Sequence, residues 1–308
     1  MNNKISTPPN DPTNLKHKAG YVALLGRPNV GKSTLMNALL GQKLSIVTPK
    51  PQTTRHRVLG ILSGEDYQII FLDTPGLLIP RYKLQQTMVK AASRAVEEAD
   101  VLLFIIEPEA KISAANRAIL TDLINANKPI ILAINKVDTI EKKKLLPIID
   151  EYAQTFQLTS IIPISALKAD GLDELRGILV ENLPSGLPFY PQDMITDHPE
   201  RFFVTEIIRE KIFQRYGEEI PYSTTVTIDE FIERDHAKDY IRATIYVERD
   251  SQKGIIIGKK GAALKQVGQV ARKEIELFLQ REVFLELFVK VKEKWRQREG
   301  VLRELGYK

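Results

Sequence analysis

Cysteine is absent from the 308-residue chain, which removes disulfide frameworks and thiolate metal sites and fits a reducing compartment. Histidine is scarce: His17, His56, His198 and His236 are scattered, and none pairs at ligand spacing, so no transition-metal centre is expected. No apolar run approaches the roughly 18 residues that span a bilayer. Charge of one sign hardly dominates, with 44 Lys+Arg against 39 Asp+Glu. What is present is a 43% hydrophobic content, enough for real cores, over a length that suits one large or two ordinary domains. The start of the chain, Met1 to Lys18, is rich in Asn, Pro and Thr and lacks an apolar stretch. Residues 1–19 therefore read as a flexible tail rather than a signal peptide.

The stretch Gly26-Arg27-Pro28-Asn29-Val30-Gly31-Lys32-Ser33, followed by Thr34, fits GxxxxGK[S/T]. It follows a buried-strand run, Tyr21 to Leu25, and opens an amphipathic helix, Ser33 to Leu40, that stops at Gly41. Glycines let backbone amides approach a polyphosphate and the helix start adds positive dipole. Lys32 reaches the β and γ oxygens, and the Ser33 hydroxyl suits Mg²⁺. This loop alone implies a nucleoside triphosphate site and chooses neither base nor reaction.

Downstream, Leu44 to Arg57 is polar and Pro-punctuated and reads as loop. Strands Val58–Leu62 and Tyr67–Leu72 are joined so tightly that they must form a hairpin. The second runs into Asp73-Thr74-Pro75-Gly76, where the carboxylate suits Mg²⁺ through water and the Gly76 amide suits a γ-phosphate. Helices over 85–99, 114–126, 142–157 (with an irregularity at Pro147) and 172–182 alternate with strands over 101–106, 129–134 and 160–164. The pattern predicts an α/β unit, a mostly parallel sheet with helices on both faces. Asn135-Lys136-Val137-Asp138 follows one strand. Asp138 can accept from the N1–H and amine of guanine, a pair that adenine lacks. Lys136 can lie along the base, Asn135 can tie this loop to the phosphate loop, and Ser165-Ala166 with Leu167 and Lys168 can offer a backbone amide to the guanine O6.

Leu183 to Glu200 holds Pro184, Pro188, Pro191 and Pro199, a semi-rigid joint. Domain limits are set at 20–183, 184–200 for the linker, and 201–308. The last part carries most of the positive surplus, 22 Lys+Arg against 18 Asp+Glu. Lys253, Lys259, Lys260, Lys265, Arg272 and Lys273 form a block without acids, which suggests a polyanion. Its pattern is helix over 202–216, then strands with Val226, Ile228, Ile232 and Ile241, Ala243, Ile245, Val247 inward. A helix with Leu264, Val267, Ala271, Ile275 and Phe278 on one face and a strand with Leu285, Leu287, Val289 and Val291 follow. A basic helix, Lys294 to Leu305, closes the chain. Gly258-Lys259-Lys260-Gly261 makes a tight turn that lets an RNA backbone approach, and Ile255, Ile256 and Ile257 flank a groove for unstacked bases.

Taken together, GRPNVGKST, PQTTRHR, DTPG, NKVD and SAL resemble the five guanine-nucleotide motifs of translation-factor-related GTPases, in the wording of the Era family. The C-terminal order, with its GxxG, resembles the bacterial KH domain. The resemblance implies a P-loop GTPase domain plus a KH domain. It also implies GTP/GDP and Mg²⁺ as ligands, with Lys32, Thr54, Asp73 and Gly76 catalytic and Ser33 and Thr54 on Mg²⁺. The expected partners are the 3′ end of 16S ribosomal RNA and the 30S subunit, whose assembly it would serve. The expected state is a monomer, cytoplasmic, with loose peripheral association with the inner membrane. Nucleotide state would move the segments Leu44–Arg57 and Asp73 to about Lys83, and with them the linker and KH domain. Leu77 stands where Ras-type enzymes carry the water-orienting Gln, so slow hydrolysis is expected. Asn29 matches an Asn that holds K⁺ in related GTPases. Arg55, His56 and Arg57 receive no catalytic role and are expected to face solvent or the rest of the chain. Competing readings are a large-subunit or tRNA-modification GTPase, a metabolite kinase, and an RNA chaperone with a vestigial site.

Overall fold

The computed structural model describes residues 17–307. The tail expected over 1–19 lies outside them up to residue 16. Lys18 and Ala19 are not tail: they open β1 (Lys18–Leu25) and pair with Tyr67 and Gln68. The phosphate loop leads to α1 (Lys32–Leu40), closed by Gly41 at φ 68 with its amide on the Ala38 and Asn37 carbonyls. The hairpin β2 (Val58–Ser63) and β3 (Tyr67–Asp73) is antiparallel. Then α2 (Lys83–Glu98), β4 (Val101–Ile106), α3 (Ala114–Ile124), β5 (Ile130–Ile134), α4 (Leu145–Thr155), β6 (Ser160–Pro163) and α5 (Leu172–Asn182) alternate. The helix expected over 142–157 is a 3₁₀ turn at Lys142–Lys144 followed by α4. Pro147 lies in the first turn of α4, where its missing N–H costs no intrahelical bond, so the helix runs on past it.

The sheet order is β2-β3-β1-β4-β5-β6, parallel except for β2. Alternate residues of one strand feed opposite cores. Val22, Leu24, Leu103 and Ile105 face one side, and Ala23, Leu25, Phe104 and Ile106 the other. Burial on both faces explains the unbroken apolar runs. The parallel order also aligns the carboxyl ends of β1, β3, β5 and β6 along one edge, where every nucleotide motif emerges. The Pro-rich joint is strapped onto the edge hairpin: Ile61 donates its amide to the Ile195 carbonyl at 2.8 Å, and Gln68 bonds Phe189 and Tyr190.

Beyond it come α6 (Glu200–Arg215), α7 (Ile220–Ser223), β7 (Thr225–Ile232), β8 (Asp239–Val247), α8 (Asp250–Ile257), α9 (Ala262–Leu279), β9 (Val283–Val291) and α10 (Glu299–Glu304). β7 and β8 are antiparallel, and β8 and β9 parallel. Their core joins Ile208 and Ile212 of α6 to Ile241, Ala243 and Ile245 of β8 and to Val267, Ala271 and Ile275 of α9.

Two expectations fail here. A bulge between Ile228 and Glu230 shifts the β7 register, so Phe231 packs on the core and Ile232 is exposed. The closing segment is not one basic helix. Trp295, Leu302 and Tyr307 are buried against Leu84 and Met88 of α2, which breaks it into a 3₁₀ turn at Trp295–Gln297 and α10. The Trp295 indole donates to the Ser223 carbonyl at 2.8 Å.

Candidate guanine-nucleotide site and RNA groove

The phosphate loop is shaped by two glycines that no other residue could replace. Gly26 has φ 148, and a Cβ there would stand 2.3 Å from the Ile105 carbonyl oxygen. Gly31 has φ 100, and its Cβ would stand 2.3 Å from Asn135 Nδ2. Lys32 is buried, with Nζ donating to the carbonyls of Gly26 at 3.2 Å and Arg27 at 3.0 Å. Burial pushes its ammonium down to about 8, against the pull of Asp73.

Four oxygens converge beside it. Ser33 Oγ donates to Asp73 Oδ2 at 2.7 Å and lies 2.9 Å from Thr54 Oγ1, and Ser45 Oγ donates to the same Asp73 oxygen at 2.8 Å. Asp73 is wholly buried, and burial raises its pKa against the bonds from Ser33 and Ser45 and the charge of Lys32. Among the described residues its Oδ1 is buried without a partner. An orphaned carboxylate oxygen among hydroxyls is a hard-oxygen donor set that fits Mg²⁺. Ser33 and Thr54 would ligate it directly and Asp73 through water. The ion, when bound, neutralises phosphate oxygens. Thr74 fixes the following turn by donating to the Leu24 carbonyl at 2.7 Å. Pro75 is buried, and at Gly76 a Cβ would stand 2.7 Å from the Pro28 nitrogen. Leu77 packs on the core behind β3 and donates its amide to Gly26, so it turns away from the phosphates.

At the base end, Asn135 Nδ2 donates to the Val30 carbonyl at 2.8 Å and its Oδ1 accepts the Ala166 amide at 2.9 Å. Three loops are thereby joined. Lys136, at φ 65, donates to the Asn29 carbonyl at 2.8 Å and pairs with Glu107. Val137 donates its amide to Ile164 at 3.2 Å, and Asp138 is exposed with one oxygen accepting from Ser165 Oγ at 2.6 Å. The Ala166 amide, engaged with Asn135, ties its loop to the other two. Exposed Asn29, at φ 68, donates to the Pro49 carbonyl at 2.8 Å. Arg27 is exposed and Thr34 half-buried, while Val30 anchors in the core. Motif reading missed Ser45 and Glu107. Both sit in segments whose spacing matches no pattern, and only the folded chain brings them to Asp73 and Lys136. Of the two settings expected for Arg55, solvent or the rest of the chain, the structure shows the second: it is buried and faces the C-terminal unit.

The GxxG turn caps α8 and opens α9. Gly258 has φ 71, and a Cβ there would stand 2.6 Å from that of Ala263; Gly261 has φ 78. Lys259, Lys260 and Lys265 are exposed, and the first turn of α9 carries no acid. Beside them runs a groove of about 420 Å³ lined by Gly261, Leu264, Lys265, Arg272, Leu285 and Leu287. Of the isoleucines assigned to base contact, Ile255 is half exposed and Ile257 partly so. Ile256 is wholly buried in the core, and Tyr216 donates to its carbonyl at 2.8 Å, so it cannot touch RNA. The helical period of α8 turns every third or fourth side chain inward.

Residues 21–136 match the family described as 50S ribosome-binding GTPase, and residues 219–296 match the KH domain family. A variant of Aquifex aeolicus Era bound to GDP and AlF4⁻ is 47% identical, with 94% of this chain and 99% of that chain covered and a TM-score of 0.91. Era in complex with magnesium GDPNP and nucleotides 1506–1542 of 16S ribosomal RNA matches with the same identity, coverage and TM-score. At that identity and coverage, with a P-loop GTPase unit followed by a KH unit, the chain belongs to the Era family of GTPases.

Proposed function

We propose that the chain is a GTP-hydrolysing switch that binds the 3′ end of 16S ribosomal RNA through its KH unit and acts in 30S subunit assembly. The observation that carries the reading is the coexistence in one chain of the Ser33–Thr54–Asp73 oxygen cluster with the groove beside Gly258–Gly261. The relative of 47% identity that is bound to magnesium GDPNP and 16S RNA supports it. The division into nucleotide unit, linker and RNA unit at 20–183, 184–200 and 201–308, the roles given to the named residues, and a cytoplasmic location belong to the same proposal. The family matched by residues 21–136 is named for the 50S subunit, but the KH unit and the 16S-bound relative favour the small subunit.

Binding of the full chain to short single-stranded RNAs with GDP or GDPNP present, repeated with Gly258→Asp, tests the RNA side. The ribosomal 3′ segment should bind more tightly than a scrambled sequence, and Gly258→Asp should abolish the difference. Equal affinities defeat the assembly role. Competition by ATP as effective as by GTP defeats the nucleotide assignment.

A further inference from the structure

Residues 42–57 form neither helix nor strand, so no helical or sheet hydrogen-bond ladder fixes Thr54. Its position is imposed from two sides. Thr54 faces Ser33, while both of its neighbours are fastened to the C-terminal unit. Arg209 of α6 donates through Nη2 to the Thr53 carbonyl at 2.5 Å, and Glu206, three residues earlier on the same helix, holds its Nε at 2.9 Å. Arg55 reaches the opposite way. Nη1 donates to the Thr224 carbonyl at 2.7 Å, and Nη2 to those of Pro221 at 2.8 Å and Tyr222 at 3.2 Å. Both guanidinium groups are buried, 1% and 2% exposed. Further along the loop, Glu210 accepts the Val47 amide at 3.0 Å and the Lys43 ammonium at 2.7 Å, and Lys50 bonds the carbonyls of Phe213 and Tyr216.

A buried planar guanidinium with several fixed oxygen partners sets a segment's position far more tightly than a surface ion pair does. Two such groups bracket Thr54, which with Ser45 brings this loop to the Ser33–Asp73 cluster. We infer that Arg209 and Arg55 are positioning residues. They hold Thr53-Thr54-Arg55 so that the Thr54 hydroxyl stands where a triphosphate and its Mg²⁺ would meet it. The RNA-binding unit thereby completes the triphosphate form of the nucleotide site in its own chain. This rests on the GTP reading above. In GTPases the loop is ordered by contacts that only the triphosphate state makes. Loosening the clamp should therefore weaken GDPNP and spare GDP.

The test measures the affinities of fluorescent GDP and GDPNP for full-length Arg209→Met. That change leaves Glu206 buried and unpaired, which can cost the fold. The double variant Glu206→Leu/Arg209→Met removes both charges of the buried pair and decides the case if the single variant unfolds. The expected result is about a tenfold loss of GDPNP affinity with GDP within about twofold of wild type, and partial rescue by Arg209→Lys. Equal weakening of both nucleotides, or no change in either, overturns the inference. Wild-type protein that fails to bind guanine nucleotides would instead defeat the functional reading on which it rests.

Discussion

The side-chain amide of Asn135 donates to the backbone carbonyl of Val30 at 2.8 Å, and this bond locks the base-binding loop to the phosphate loop. The same side chain accepts the Ala166 amide. All three residues are buried, so Asn135→Ala leaves a carbonyl and an amide unpaired, each at about 1–3 kcal/mol. Part of that cost falls on nucleotide binding. The expected loss of GDP affinity is about 10- to 100-fold, read by fluorescence titration. An affinity within threefold of wild type would show that the loops hold without the bond.

Lys32 gives the site a pH dependence. In the free protein burial brings its ammonium down to about 8, and a polyphosphate beside it raises that value. Below pH 8 the lysine is charged in both free and bound protein, and affinity is flat. Above pH 8 the free form must take up a proton to bind, so affinity falls by up to tenfold per pH unit. The ratio of GDP to GMP affinity, which cancels any titration of the base, should drop about tenfold between pH 7 and pH 9. A constant ratio would place Lys32 outside reach of the β-phosphate.

His56 couples acid to the contact between the two units. It stacks on Tyr307 with ring centroids 4.6 Å apart and meets Phe202 edge-on at 5.8 Å. Burial, with Arg209 and Arg55 nearby and Glu206 opposing, pushes its imidazole down to about 4. The unfolded chain protonates near its ordinary value of 6.5, so this stability is complete above pH 6.5 and is lost as pH falls through 4. The loss should amount to on the order of 2–3 kcal/mol. Urea midpoints between pH 7 and pH 4 should fall more for wild type than for His56→Phe, which keeps a ring in the stack. Parallel curves would contradict this.

Asn29 links the phosphate loop to the preceding segment of the Thr54 loop through Pro49. We expect K⁺ to accelerate GTP turnover through this residue. Wild type should run faster in KCl than in NaCl, and Asn29→Ala should erase the difference. Equal wild-type rates in the two salts would sink the idea.

Much of the architecture could be read from residue order alone, because its signals are local. Buried β1, β4 and β5 show as the apolar runs Tyr21–Leu25, Val101–Ile106 and Ile130–Ile134, since both faces of each strand meet a core. Gly26 and Gly31 announce backbone angles that other residues avoid, and Asn135 and Asp138 announce a base by spacing from a strand end. These features need a few neighbouring residues and no knowledge of the rest of the chain.

What local pattern cannot carry is contact across long sequence separations. Ser45 meets Asp73 because the sheet brings the α1–β2 loop over the end of β3. Ile256 is core rather than RNA surface because α8 is helical and turns it inward, and Ile232 is exposed because one bulge reverses the face of β7. Arg55 reads as a loop residue with no assigned task until Thr224, 169 positions away, is seen accepting its hydrogen bond. Side-chain type and local spacing name the chemistry. Where distant carbonyls and carboxylates come to rest is set by packing the whole chain, and here that packing fastens the loop carrying Thr54 to the RNA-binding unit.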